Sequence, residues 1–75
     1  MNTLELNVFS DQILTIAKDV LTEKQYDVLV SRAIHKVTFK QIGIKYNVSP
    51  SRIQQIEAKA HRILIEKLRK LNSWT

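Results

Sequence analysis

The segment Thr38-Phe39-Lys40-Gln41-Ile42-Gly43-Ile44-Lys45-Tyr46-Asn47-Val48-Ser49-Pro50-Ser51-Arg52-Ile53-Gln54-Gln55-Ile56 decides how the rest of the chain is read. It holds two helix starts with a very short turn between them. Thr38 followed by Gln41 forms a capping box, in which the threonine hydroxyl and the glutamine amide each satisfy a backbone N–H that the first turn leaves orphaned. Ser49-Pro50 is the second start. Serine caps the helix, and proline's fixed φ suits the first helical position, where its missing N–H costs nothing. Only Asn47-Val48-Ser49 joins the two helices, so they must cross steeply and touch closely. Ile42 and Tyr46, one turn apart, give the shorter helix an inward face, and Val48, Ile53 and Ile56 close the small core from the other side. Gly43 lies between them. A mid-helix glycine costs roughly 1 kcal/mol against alanine, which makes sense where a side chain would hold the two helices apart. Asn47 is among the few non-glycine residues that accept φ > 0. Ile42, Gly43, Tyr46, Val48, Ile53 and Ile56 are therefore the expected scaffold of a helix-turn-helix.

Reading upstream, Thr22-Glu23-Lys24-Gln25 repeats the capping box and opens a helix to about Ala33, with Tyr26, Leu29 and Val30 at core spacing. Ser10 caps an earlier helix that runs to about Asp19 and turns Ile13, Ile16 and Ala17 inward. Residues 1–9 read as a lead-in, with Leu4, Leu6, Val8 and Phe9 partly docked. Downstream, no breaker appears until Asn72, and Ile53, Ile56, Ala60, Ile63, Leu64, Leu68 and Leu71 recur at three- and four-residue steps. The opposite stripe is Arg52, Gln55, Lys59, Arg62 and Arg69. The expected fold class is all-α: a compact four-helix domain over residues 10–75, with a C-terminal helix-turn-helix and a long recognition helix.

Composition narrows the chemistry. At 75 residues with one glycine, one proline and no cysteine, the chain supports one modest core without disulfides or cysteine-held zinc. His35 and His61 are far apart and lack metal-ligand spacing. No nucleophile–base set, carboxylate pair or phosphate-cradling loop is visible, and Asp11, Asp19, Glu23 and Asp27 are spread over an acidic, solvated face. No enzyme activity, metal or cofactor is expected. Nor is there a membrane-length apolar run or a signal-peptide pattern, so a cytoplasmic location is expected. Charge is divided along the chain. Residues 1–31 carry two lysines against five acids, net −3, while residues 32–75 carry ten basic residues against two acids, net +8, which together give +5. Such asymmetry suits a face that meets double-stranded DNA.

In a helix-turn-helix the N-terminal turns of the second helix enter the major groove. Ser51, Gln54 and Gln55 are the candidates for base edges, since glutamine pairs bidentately with adenine and serine is permissive. Arg52, Lys59 and Arg62 lie farther round or along and suit phosphate contacts, while Lys40 and Lys45 on the preceding helix reach the flanking backbone.

Arg52-Ile53-Gln54-Gln55-Ile56-Glu57-Ala58-Lys59-Ala60, followed by Arg62, resembles the recognition-helix signature R-[IV]-R-Q-I-E-A-K-A-L-R of region four of bacterial sigma factors. Leu21-Thr22-Glu23 with Val28-Leu29 and Arg32 resembles that region's opening helix, and the likeness spans residues 21–71. It implies recognition of the promoter's minus-thirty-five element and docking on the β-subunit flap of RNA polymerase, with Leu64 at a position that lines the flap pocket. The chain departs from the pattern at Pro50 and Ser51, where arginine and glutamate are usual, at Gln54 for arginine, and at Ala33 for an aromatic. These departures imply a different DNA sequence. Promoter melting by region two is expected from a separate partner protein. The alternatives are a protein-interaction module that mimics region four and a LuxR/GerE-type regulator. In the first alternative, Ile65, Leu68, Leu71 and Trp74 bury against a partner or against a second copy in a homodimer.

Overall fold

The structure is a computed structural model that describes residues 11–72. Four helices follow in order: α1 Asp11–Val20, α2 Glu23–Ala33, α3 Phe39–Tyr46 and α4 Pro50–Asn72. The lead-in over residues 1–9, the Ser10 cap and Trp74 lie outside the described residues. The fold is all-α, and no helix among the described residues is long and apolar enough to cross a membrane.

Both threonine boxes form. Thr22 Oγ1 accepts from the Gln25 N–H at 3.1 Å while the Thr22 N–H donates to Gln25 Oε1 at 3.0 Å. Thr38 and Gln41 repeat this at the start of α3 with the same two distances. Each box fixes where its helix begins, which removes the end-fraying that short helices otherwise suffer. At α4, Ser49 Oγ accepts from the Arg52 N–H at 3.2 Å and Pro50 takes the first helical position.

α4 is the spine, against which α1, α2 and α3 all pack. Its 23 residues make a rod of about 34 Å. Two apolar clusters divide it. Nearer its start, Ile53 and Ile56 meet Val28 of α2 and Ile42 of α3, with Val37, Phe39, Tyr46 and Val48 around them. Farther along, Ala60 and Leu64 meet Leu29 of α2 and Ala17 and Leu21 at the end of α1, with Ile13, Ile16, Val20, Tyr26, Ile63 and Leu68 around them. Adjacent residues Val28 and Leu29 thus point into different clusters, and both are fully buried. The expected apolar stripe of α4 runs past the second cluster: its last member on α4 among the described residues is Leu68, and Leu71 is 44% exposed.

Candidate nucleic-acid interface

The turn between α3 and α4 is set by main-chain geometry. Asn47 adopts φ 59°, ψ 44°, the left-handed conformation that ends α3. The Val48 N–H donates to the Gly43 carbonyl at 2.9 Å, which folds the turn back on the helix. A Cβ at position 43 would lie 2.6 Å from the Val48 carbonyl oxygen and 3.5 Å from the Pro50 nitrogen. Glycine is required there by the turn and the first residue of α4, rather than by the body of the second helix. The scaffold residues fill the space behind: Ile42 and Ile53 are buried to 2% and 0% exposure, Ile56 is buried, and Tyr46 and Val48 are half-buried.

Two polar braces lock this unit to α2. Arg32 reaches from the last turn of α2 to three neighbours. Its Nη1 donates to the Val37 carbonyl at 3.1 Å, its guanidinium stacks 4.0 Å from the centre of the Phe39 ring, and its Nε lies 3.5 Å from Glu57 Oε2 on α4. That last contact is charge on charge without hydrogen-bond geometry, since Nε is buried and donates no hydrogen bond. Glu57 is the eighth residue of α4, so Arg32 ties the last turn of α2 to the first third of α4. In the second brace the Tyr46 hydroxyl donates to Asp27 Oδ2, and Lys45 Nζ pairs with the same oxygen at 2.9 Å. The Tyr46 hydrogen bond, then Lys45, hold the Asp27 carboxyl below its ordinary range. The same bond, with burial, pushes the Tyr46 hydroxyl up to about 12. Both shifts follow from a negative oxygen that is stabilised by donors.

On the outward side, Ser51, Gln54 and Gln55 are all exposed on the first turns of α4. Arg52 Nη1 donates to Gln55 Oε1 at 3.4 Å, one helical turn away. Arg52, Gln55 and Lys59 come together along one groove, whose other wall is Thr22, Lys24 and Gln25 at the start of α2. Lys24 was not among the sequence candidates. It sits within a mixed-charge start of α2, and only the fold shows that this end faces the recognition helix. The remaining cations are spread more widely. Lys40 borders a hollow beside the turn with Ile44, Asn47 and Pro50. Lys45 is engaged by Asp27, and Arg62 lies past Lys59 toward the end of α1. Leu64 is placed in the core at 5% exposure, among Ala17, Leu21, Leu29 and Ala60, rather than on the surface.

A short tight turn, a second helix tied to its neighbours with polar side chains on its first turns, and flanking cations are the parts a groove-reading element needs. No curated protein and no solved structure matches the chain. The family model for sigma-70, region 4, matches residues 19–70, a span that opens at the end of α1 and takes in the turn, both braces and nearly all of α4. The chain belongs to the sigma-70 region 4 family, a family of DNA-binding helix-turn-helix domains.

Proposed function

We propose that this chain is a region-four-like transcription regulator that reads duplex DNA with Ser51, Gln54 and Gln55 and acts with RNA polymerase at promoters. The observation that carries the reading is the exposed Ser51–Gln54–Gln55 set on the first turns of a helix that Arg32 ties to α2 through Glu57. Arg52, Lys59 and Lys24 converge beside it as phosphate contacts, and Lys40 and Arg62 extend the positive margin along the duplex. Lys45 adds less, because Asp27 already neutralises part of its charge.

The test is selection of bound sequences from random duplexes, with and without core RNA polymerase, followed by a salt titration. Four to six neutralised phosphates give a log–log slope of roughly −4 to −5. Gln55→Ala changes the selected sequence, whereas Lys59→Glu weakens all duplexes alike. A flat salt response, or selection that recovers no preferred sequence in either arm, rejects the reading.

A second reading has its own observation: Ile65 is 50% and Leu71 44% exposed on the last turns of α4. Such side chains suit burial against polymerase or another protein, with contact to DNA secondary. Since Leu64 lies under α1, polymerase contact through this end would use Ile65 and Leu71 rather than Leu64. Polymerase capture that survives Gln55→Ala and Lys59→Glu, with no duplex binding, would favour this reading over the first.

A further inference from the structure

We propose that Arg52 selects the base that Gln55 reads, turning its preference from adenine to guanine. The inference rests on the reading of Gln55 as a base-edge contact and adds the orientation of its amide. Arg52 Nη1 donates to Gln55 Oε1 at 3.4 Å, from one turn earlier on the same side of α4. A guanidinium carries donors and no acceptor, so the amide atom that faces it must be the oxygen. The orientation of the Gln55 side chain therefore follows from chemistry: its oxygen is committed to Arg52, and its NH₂ remains to donate.

The surroundings leave that orientation unopposed. Arg52 and Gln55 share their groove with Lys59 of α4 and with Thr22, Lys24 and Gln25 of the facing wall. Lys59 and Lys24 are again donors without an acceptor. Thr22 and Gln25 commit their side-chain oxygens to backbone N–H groups in the α2 capping box. Among the described residues, nothing accepts a hydrogen bond from the Gln55 NH₂. Gln54, the next residue back, is different. It is exposed, and its side chain has no hydrogen-bond partner among the described residues.

Base edges in the major groove respond differently to these two amides. Glutamine pairs with adenine by accepting from N6 with its oxygen and donating to N7 with its NH₂. An oxygen already turned to Arg52 meets that need poorly, and the guanidinium beside it opposes the N6 amino group, which is also a donor. Guanine presents O6 and N7, both acceptors, which take the Gln55 NH₂ and are drawn to the nearby cation. Gln54 keeps the adenine pairing. Arg52 thus acts through Gln55 as a positioning residue, and its other N–H groups stay available to a phosphate.

The probe is a random duplex library, selected with the full wild-type chain, Gln55→Ala, Arg52→Ala and the double variant. The position at which Gln55→Ala loses preference marks the Gln55 contact, and the wild type should enrich guanine there. Arg52→Ala should lower the guanine-to-adenine ratio at that position about fivefold, the size of one ordinary hydrogen bond, with preferences elsewhere unchanged. Once Gln55 is alanine, removing Arg52 should weaken binding without altering any preference. Without DNA, Arg52→Ala should shift the Gln55 side-chain amide resonances and leave those of Gln54 in place. Arg52 is exposed, so its replacement leaves the core intact. Adenine at the Gln55 position of the wild type, a uniform loss of affinity in Arg52→Ala, or unmoved Gln55 resonances would each overturn the proposal while base reading by Gln55 stands. A wild-type chain that selects no sequence would instead reject the base reading, and this inference with it.

Discussion

The two clusters along α4 are built differently. The one beneath the turn uses branched side chains, Val28, Ile42, Ile53 and Ile56, and is reinforced by Arg32 on Glu57 and by Tyr46 and Lys45 on Asp27. The one beneath α1 uses two alanines and three leucines, Ala17, Ala60, Leu21, Leu29 and Leu64, with Lys18 set 5.9 Å over the Tyr26 ring between α1 and α2. Leucine and alanine contacts are non-directional, whereas hydrogen bonds and a stacked guanidinium fix angles as well as distances. The first cluster therefore holds a geometry, and the second mainly supplies burial. This difference fits a helix-turn-helix end whose geometry must be held and a far end that need only remain folded.

Four substitutions test that division. Leu64→Ala should have the largest effect, about 3 kcal/mol, from lost burial plus a residual cavity. A 75-residue domain has about 4–11 kcal/mol in total, so this is a large share. Hydrogen exchange should show α1 amides losing protection first while α3 amides keep theirs. If α3 opened together with α1, the two clusters would be one cooperative unit and the comparison would fail. Gly43→Ala comes next, at about 2 kcal/mol net. Overpacking against the Val48 carbonyl costs about 3 kcal/mol, and the gain in helix propensity returns about 1. Duplex affinity should fall well beyond what the lost stability accounts for, while α1 protection is unchanged.

Arg32→Ala should cost about 1.5 kcal/mol, through the lost ring stacking and the freed Val37 carbonyl. Its sharper signature is relaxed base preference at the positions proposed for Gln54 and Gln55, read by repeating the duplex selection. Tyr46→Phe is the smallest, about 1 kcal/mol at neutral pH, measured by urea unfolding. It also tests a pH dependence. The Tyr46 hydroxyl is raised from 10.0 to about 12 in the folded chain, so its contribution is complete below pH 10 and is lost as pH rises toward 12. The Asp27 carboxyl is lowered below 3.8, so its contribution is complete above that pH and is lost as pH falls through the folded value. The phenylalanine variant should flatten the alkaline limb. An unchanged alkaline limb would mean that the Tyr46–Asp27 contact does not bind α3 to α2.

Much of this was legible in the chain because the signals were local. Thr22 with Gln25, Thr38 with Gln41, Ser49 with Pro50, and Asn47 each act within a few residues, and each appears in the structure as its chemistry demands. What was not legible depends on long-range packing. Nothing about Lys36 marks it for the left-handed conformation, yet it adopts φ 57° in the α2–α3 connection. Leu64 and Leu71 share one apolar stripe, and only the packing of the helices shows that the first is covered and the second is exposed. Lys24 joins the candidate interface through the packing of α2 on α4, and Lys45 is drawn toward Asp27 by a contact eighteen residues away in sequence.

The close approach at Gly43 has a consequence for how this domain can change. The turn is positioned by a carbonyl, an amide and the absence of a side chain, while Ser51, Gln54 and Gln55 stand in solvent. These three exposed positions are thus set apart from the turn that presents them. If they read bases as proposed, they can be exchanged as a cassette without renegotiating the fold.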